Sequence, residues 1–419
     1  MLLMSRIQVF EHSFLPVEKG NLEERHFVAL SKLNALHDYK YFDLKHNGIV
    51  FKQFVGVIQI DNLTIEILPK IEKYEVEDKK TKTKWQSVLI DMLRVTKKLK
   101  IKQAGQAKVT KQSIHLLDMY FEWFLTEVQL LIHKGLIKQY YKETGNVKAL
   151  KGKLEFAGHI QKNLVHKERF YTTHQVYEKD HLIHQILNQA LGIVAMLSKG
   201  NYLYSKCKTV QINFPEVKSI SAIESTFEKI SKSRKTLPYE TALAIARLII
   251  LNYAPNVSSG SEKMLALLFD MNILWEEYIL VRLREVCHNK DISVYGQNSK
   301  EFWDAITIRP DIVLEQKIDE KKNKVLVIDT KWKNIDQSKP STHDLRQMYV
   351  YNDYWKSSKA ILLYPSQIND YNNFKSFKKI TDKENHQCAL GKISIFNDVG
   401  ELDTFIGDKI VDLFNNARI

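Results

Sequence analysis

Cysteine is scarce in this 419-residue chain: Cys207, Cys287 and Cys388 stand far apart and form no CxxC pair. That argues against a disulfide framework or a zinc ribbon and suits a reducing, cytoplasmic setting. Long apolar runs are missing too. The best candidate, Leu116 to Gly135, carries Asp118, Glu122 and Glu127, so it reads as a buried helix and no membrane association is expected. The opening Met-Leu-Leu-Met run is too short and too poorly flanked for a secretory signal. With only 15 Gly and 8 Pro, and no internal repeat or low-complexity tract, the chain belongs to the ordinary globular class and is long enough for two or three domains. No GxxxxGK[ST] loop is present to cradle a nucleotide; Lys151-Gly-Lys153 lacks that motif's first glycine and spacing. No GxSxG elbow or Cys/His nucleophile pattern is visible either.

What the chain has in excess is positive charge. Lys and Arg number 62 against 49 Asp and Glu, for a formal net charge of +13 and a sequence pI near 9.2. Such an excess concentrates polyanions near the surface and makes nucleic acid the leading partner, although a solvated Lys-rich surface gives the same number. The Lys79 to Lys84 stretch has no apolar period and is expected to be an exposed loop. Lys97, Lys98, Lys100 and Lys102 form a second cluster whose alternation suits a strand with one charged face, either a phosphate track or a protected edge. His181 and His184, with His174 nearby, lack the further ligand that would complete a tetrahedral metal site, and i, i+3 histidines of this kind are expected at a helix surface.

Hydrophobic periodicity divides the chain in three. Residues 1–105 look β-rich: Val55–Ile60 and Leu63–Leu68 are β-branched runs separated by Asp61-Asn62, a pair that tolerates the positive φ of a tight hairpin turn. Residues 106–255 are expected to be mainly helical, from apolar spacing over Ile114–His133, His181–Leu197 and Pro238–Tyr253, with Gly135 and Gly200 near helix ends. The Pro, Gly and Ser residues of Ala254–Ser261 then mark the main boundary. Over residues 256–419 the pattern predicts a helix at Glu262–Val286 and strands near 304–315 and 324–333. A helix near 343–356 and an apolar strand at Ala360–Tyr364 follow, the order of a small α/β domain with a mixed central sheet.

Polar groups interrupt two of those strands. In Ile308-Arg-Pro-Asp-Ile-Val-Leu-Glu315, alternation places Asp311, Val313 and Glu315 on one face; in Val325-Leu-Val-Ile-Asp-Thr-Lys331, Asp329 and Lys331 share a face. Two carboxylates at the ends of buried strands are costly to desolvate unless a cation lies between them, and oxygen ligands select a hard ion such as Mg²⁺. A lysine two residues past the second acid can serve an attacking water, the chemistry of metal-assisted phosphodiester hydrolysis. The plainer alternative is a turn-capping Asp311 and a strand-end salt bridge at Asp329 and Lys331. Helical spacing puts Gln347, Tyr351 and Tyr354 on one face of the following helix, and Glu276 and Glu277 lie in the preceding one.

In their order along the chain, Arg309-Pro-Asp311, Ile328-Asp-Thr-Lys331, Gln347-Met-Tyr-Val-Tyr351 and Leu362-Leu-Tyr-Pro365 resemble the PD-(D/E)xK nuclease domain of the McrC family, the nuclease subunit of McrBC-type, modification-dependent restriction systems. The similarity extends upstream through Phe269–Tyr278, Leu150–Phe156 and Val55–Lys70. The resemblance implies an α+β N-terminal region, β-rich over 1–105 and helical over 106–255, that docks on a partner. An α/β restriction-endonuclease-like domain would follow over 256–419. It implies that Asp311, Asp329 and Glu276 bind Mg²⁺, with Mn²⁺ as a substitute, and that Lys331 serves the attacking water. Glu276 is favoured over Glu277 because it follows Trp275. Gln347 and Tyr351 match a QxxxY helix that lines the site and approaches the DNA backbone, where Arg309 and Lys333 would also meet phosphates. The second acid is Asp where many relatives carry Glu. The implied partners are modified double-stranded DNA and a McrB-like hexameric AAA+ GTPase, which the missing nucleotide loop suits. A RecB-like repair or recombination nuclease working with a helicase, and a non-catalytic DNA-binding adaptor that activates an NTPase, are the alternatives.

Overall fold

The computed structural model describes residues 5–71, 78–98, 115–254, 263–319, 323–333, 339–371, 373–378 and 386–416. The chain forms two compact units, one of Met1–Gln106 with Leu268–Ile419 and one of Ala107–Leu267. The first and last of the three expected segments, 1–105 and 256–419, thus fall in one unit. The Pro/Gly/Ser stretch read as the main boundary lies almost wholly outside the described residues, as do Lys100 and Lys102.

In the first unit, Phe54–Ile60 and Leu63–Leu68 form an antiparallel hairpin in which every residue is buried. Asp61 has φ 47° in its turn, as the Asp-Asn pair anticipates. Ser5–Phe10 runs parallel to Leu63–Leu68 in continuous register from Ser5 opposite Leu63 to Phe10 opposite Leu68. The segment is not purely β: it also holds the helices Glu24–Leu36 and Lys79–Val95. The second corrects the expected loop at Lys79 to Lys84. Asp78 caps it by accepting from the Thr81 N–H at 2.7 Å. Lys79 and Lys80 are exposed at its start, and the apolar face begins only at Trp85 and continues through Val88, Leu89, Met92 and Leu93.

The expected helix at Glu262–Val286 is likewise two elements, a strand at Met264–Asp270 and a helix at Met271–Cys287. Met-Leu-Ala-Leu-Leu-Phe is apolar throughout, and such a run satisfies a buried strand as well as it does a helix. Asp270 marks the change, its side chain accepting from the Asn272 N–H at 2.9 Å to cap the helix.

Past this helix lies a seven-stranded mixed sheet in which Ile292–Gly296, Ile312–Lys317, Asn323–Thr330, Lys359–Ser366 and Gln387–Ser394 are successive neighbours. The first two junctions are antiparallel and the next two parallel. The helix Thr342–Tyr354 connects parallel strands and packs Met348 and Tyr351 onto Val313, Val327, Ala360 and Leu362. β-branched and Leu residues dominate the central strands because both sheet faces are covered.

The second unit joins the helices Leu116–Lys134, Leu182–Leu197, Tyr202–Asn213 and Glu240–Leu251 to a small antiparallel sheet. That sheet, of Gln139–Val147, Phe170–Glu178 and Lys153–Leu154, amends the mainly helical expectation. Gly135 adopts φ +87° at the end of the first of these helices, a conformation that suits glycine there. His181 and His184 are buried, contrary to the surface placement expected of them. Their rings lie 4.0 Å apart, and His184 meets the Lys179 carbonyl at 2.7 Å and the Tyr239 hydroxyl at 3.2 Å. Burial pushes His184 down to about 4, so the pair is a neutral interior network. No described helix is long and apolar enough to cross a membrane.

Met348 is fully buried between its helix and the sheet. Met348→Ala is expected to destabilise this unit by about 2–5 kcal/mol, the usual loss for emptying such a site; chemical denaturation of wild type and variant measures it.

Candidate active site

The antiparallel register of Ile312–Lys317 against Asn323–Thr330 pairs Val313 with Val327 and Ile312 with Ile328. One further step along both strands sets Asp311 across from Asp329. Both acids therefore arrive at the same end of the sheet, on the face covered by the Thr342–Tyr354 helix, because Val313 and Val327 anchor that face in the core. Asp329 lies opposite Leu362 in the parallel pairing with Lys359–Ser366, Thr330 closes that pairing opposite Leu363, and the next backbone N–H, of Lys331, reaches the Leu363 carbonyl at 2.9 Å.

Each acid is held differently. Asp311 Oδ2 accepts from both the backbone N–H and the hydroxyl of Thr330, at 2.7 and 2.8 Å. Asp329 is 1% exposed, and its Oδ2 lies 2.7 Å from the Lys331 ammonium. Burial, and then the nearby Asp311 charge, push Asp329 above the ordinary carboxylate range, against the opposing pull of Lys331. For Lys331, burial alone would lower the pKa, but the Asp329 and Asp311 charges outweigh it and the net direction is up. This amine is a firmly protonated ammonium.

Glu276 comes from the Met271–Cys287 helix and is 9% exposed. Its Oε1 accepts from the Gln297 amide at 2.8 Å. Burial, followed by the charge of Asp311, raises it to about 7, while Arg309 draws it down. Glu277 turns away, more exposed and paired at 2.8 Å with Lys98. The helix thus presents the first of its two glutamates toward Asp311.

The remaining expected residues are also near, in roles that the sequence pattern does not specify. Gln347 donates through Nε2 to the Tyr351 hydroxyl, and that hydroxyl donates to the Arg309 carbonyl, both at 2.8 Å. The helical pair thereby fixes the turn that delivers Asp311. Lys333, expected to meet DNA phosphate, pairs at 2.9 Å with Asp344 while its side chain stays about half exposed. Burial would raise Asp344, but Lys333 and Ser341 hold it below its ordinary value.

Sequence reasoning missed Gln297, Thr330 and Asp344. Gln297 holds Glu276 from a turn at φ 50° and donates its own backbone N–H to the Asp311 carbonyl at 2.8 Å, and no local signal marks it. Thr330 could have been found, since it sits between Asp329 and Lys331.

The donors gathered here are carboxylate oxygens, the set that a small hard cation takes together with water and phosphate oxygens. Among the described residues no group of three His, Cys, Asp or Glu side chains forms a ready-made cage. The acids instead make an open set in which Lys331 supplies the compensating charge. Protonation follows. Asp329 and Glu276 hold protons in the folded, metal-free chain at a pH where the unfolded chain has released them. Their contribution to stability is complete below the ordinary values of 3.8 and 4.5 and is lost as pH rises toward about 7. Denaturation midpoints of metal-free protein should therefore fall between pH 5 and pH 8 more steeply for the wild type than for Glu276→Gln. Equal slopes would remove Glu276 from this cluster.

Comparison with known proteins bears on the same region. The family model described as "McrBC 5-methylcytosine restriction system component" matches residues 49–365, a stretch holding every residue of the site. The Type IV methyl-directed restriction enzyme EcoKMcrBC of Escherichia coli (strain K12) is 22% identical over 268 residues, 60% of this chain and 74% of its own length. A chain in the refined half-complex from the tetradecameric assembly of Thermococcus gammatolerans McrB AAA+ hexamers with bound McrC superposes with a TM-score of 0.71. Its identity is 18%, over 99% of this chain and 100% of that one, a likeness of fold.

Proposed function

The chain belongs to the McrBC 5-methylcytosine restriction system component family, and from that premise we propose that it is the DNA-cutting subunit of such a system, a PD-(D/E)xK endonuclease on a restriction-endonuclease-like fold. The observation that carries this reading is the convergence of Asp311, Asp329 and the Lys331 ammonium at one end of a strand pair, with the buried Glu276 brought in from a neighbouring helix.

Asp311, Asp329 and Glu276 are the residues that would hold Mg²⁺, or Mn²⁺ in its place, and the ion would supply Lewis acidity toward the scissile phosphate and a more acidic attacking water. The chain's own groups do the rest. Lys331, kept protonated by its acidic neighbours, acts as a hydrogen-bond donor and positive charge that orients the attacking water and offsets charge building on the phosphate, and not as a proton acceptor. Thr330 keeps Asp311 in its rotamer through two hydrogen bonds. Gln347 and Tyr351 clamp the Arg309 carbonyl, so the Pro310-Asp311 turn is set before substrate arrives. The Arg309 side chain, close enough to Glu276 to lower its pKa, is the cation placed to meet a DNA phosphate. The net charge of +13 suits the approach of double-stranded DNA.

The partner reading is an AAA+ GTPase hexamer of the McrB kind. It is supported by the lack of a phosphate-cradling loop in this sequence and by the fold shared with a chain from an assembly of McrB hexamers with bound McrC. The partner would select modified DNA and drive the cycle, and this chain would stimulate it and cut.

Cleavage of a 5-methylcytosine-containing plasmid, with Mg²⁺, GTP and the cognate AAA+ partner, tests the proposal. Asp329→Ala and Lys331→Ala should each lower the cutting rate by about a hundredfold or more, the effect of losing several kcal/mol of charge stabilisation. Stimulation of GTP hydrolysis by Lys331→Ala should stay near the wild-type level. Wild-type cutting by Asp329→Ala would overturn the nuclease assignment.

A further inference from the structure

Glu11 is 2% exposed, lies outside the stretch matched by the family model, and follows directly on the Ser5–Phe10 strand. Its backbone N–H extends the parallel pairing to the Leu68 carbonyl at 2.8 Å. Its side chain looks elsewhere. Oε1 accepts from the Lys70 backbone N–H at 2.9 Å and from the indole N–H of Trp332, 321 positions away from Glu11 in sequence, at 2.6 Å.

Trp332 is the residue between Lys331 and Lys333. It is buried, its backbone N–H reaches the Asn272 side-chain oxygen at 3.3 Å, and its ring meets that of Trp275 at 5.5 Å and 61°. Trp275 immediately precedes Glu276, and Asn272 is bound to the capping carboxylate of Asp270. The segment that has just left the Asn323–Thr330 strand therefore keeps its course through contacts made by Trp332. A buried indole N–H is costly to leave unpaired, and Glu11 supplies its acceptor.

We propose that Glu11 is a positioning residue of the site: by holding Trp332 it ties the segment bearing Lys331, and through Trp275 the helix bearing Glu276, to the N-terminal strands. The consequence for cutting rests on the nuclease reading of Lys331 and Glu276; the consequence for local order does not. The carboxyl works in its neutral form, since burial raises Glu11 to about 8 against the lowering pull of its Lys70 and Trp332 hydrogen bonds. A glutamine, which keeps the accepting oxygen, is then a close substitute, whereas alanine removes the acceptor.

The test uses the full chain as wild type, Glu11→Gln, Glu11→Ala and Trp332→Phe, the last retaining ring volume without the N–H. Amide hydrogen exchange is followed over Leu326–Lys333 and, as a control, over Leu116–Lys134 of the other unit. Cleavage is measured with the cognate partner. In Glu11→Ala and Trp332→Phe, exchange over Thr330–Lys333 should accelerate about tenfold with the control unchanged, and kcat should fall about tenfold with little change in KM. Glu11→Gln should stay within about twofold on both readouts. Wild-type protection in Glu11→Ala, or in Trp332→Phe should Glu11→Ala fail to fold, overturns the proposal. If the wild-type chain cuts no DNA, the nuclease reading fails while the exchange measurement still decides the role of Glu11.

Discussion

The site depends on bringing carboxylates together inside a protein, an arrangement that repels itself and resists desolvation. Asp311 and Asp329 meet because the strand register leaves no other choice, and Glu276 joins them from the helix before the sheet. The crowding has a physical sign: Glu276 and Asp329 are both pushed toward their protonated forms, and burial is the larger cause in each, ahead of the charge of Asp311. Among the described residues, Lys331 sets its ammonium directly against Asp329. On the nuclease reading proposed above, such a cluster would exchange its protons for a hard cation, as metal-assisted cutting requires.

Much of the surrounding structure can be understood as a response to this crowding. Thr330 satisfies one oxygen of Asp311, Gln297 satisfies one oxygen of Glu276, and Tyr351 with Gln347 fixes the turn before Asp311. These groups are neutral donors. They orient carboxylates without neutralising them, so geometry is fixed while the negative field remains. Lys333, which would otherwise add a second free ammonium, is taken up by Asp344. The aromatic contacts of Trp332 and Trp275 then carry the rigidity outward, through Glu11, to the N-terminal strands. The Glu11–Trp332 hydrogen bond is one of the contacts between the first and last parts of the chain, which lie in one compact unit although more than 160 residues separate them.

Legibility in the sequence followed the range of the interactions involved. The Phe54–Leu68 hairpin was readable because its turn and its β-branched strands lie within fifteen residues. Asp311, Asp329, Lys331, Gln347 and Tyr351 were readable because alternation on strands and spacing on a helix fix their faces locally. The errors have local causes too. Lys79 to Lys84 looks like a loop until Trp85 and the residues after it supply the helix's apolar face. Met264–Phe269 carries no periodicity at all, so only the pairing it finds makes it a strand. His184, polar by type, is interior because the Lys179 carbonyl and the Tyr239 hydroxyl meet its ring nitrogens, and His181 beside it reaches the Ile137 carbonyl.

The sequence by itself determined the charged residue types, their alternation on two strands and the absence of a nucleotide-binding loop, because each of these is a property of neighbouring positions. Only the tertiary structure decided which glutamate faces the acids, that Gln297 and Thr330 hold them, that Lys333 is occupied, and that Glu11 reaches Trp332. Those outcomes turn on hydrogen bonds between segments far apart in the chain. The energy of such a bond depends on burial and approach angle, quantities that exist only once the core has closed.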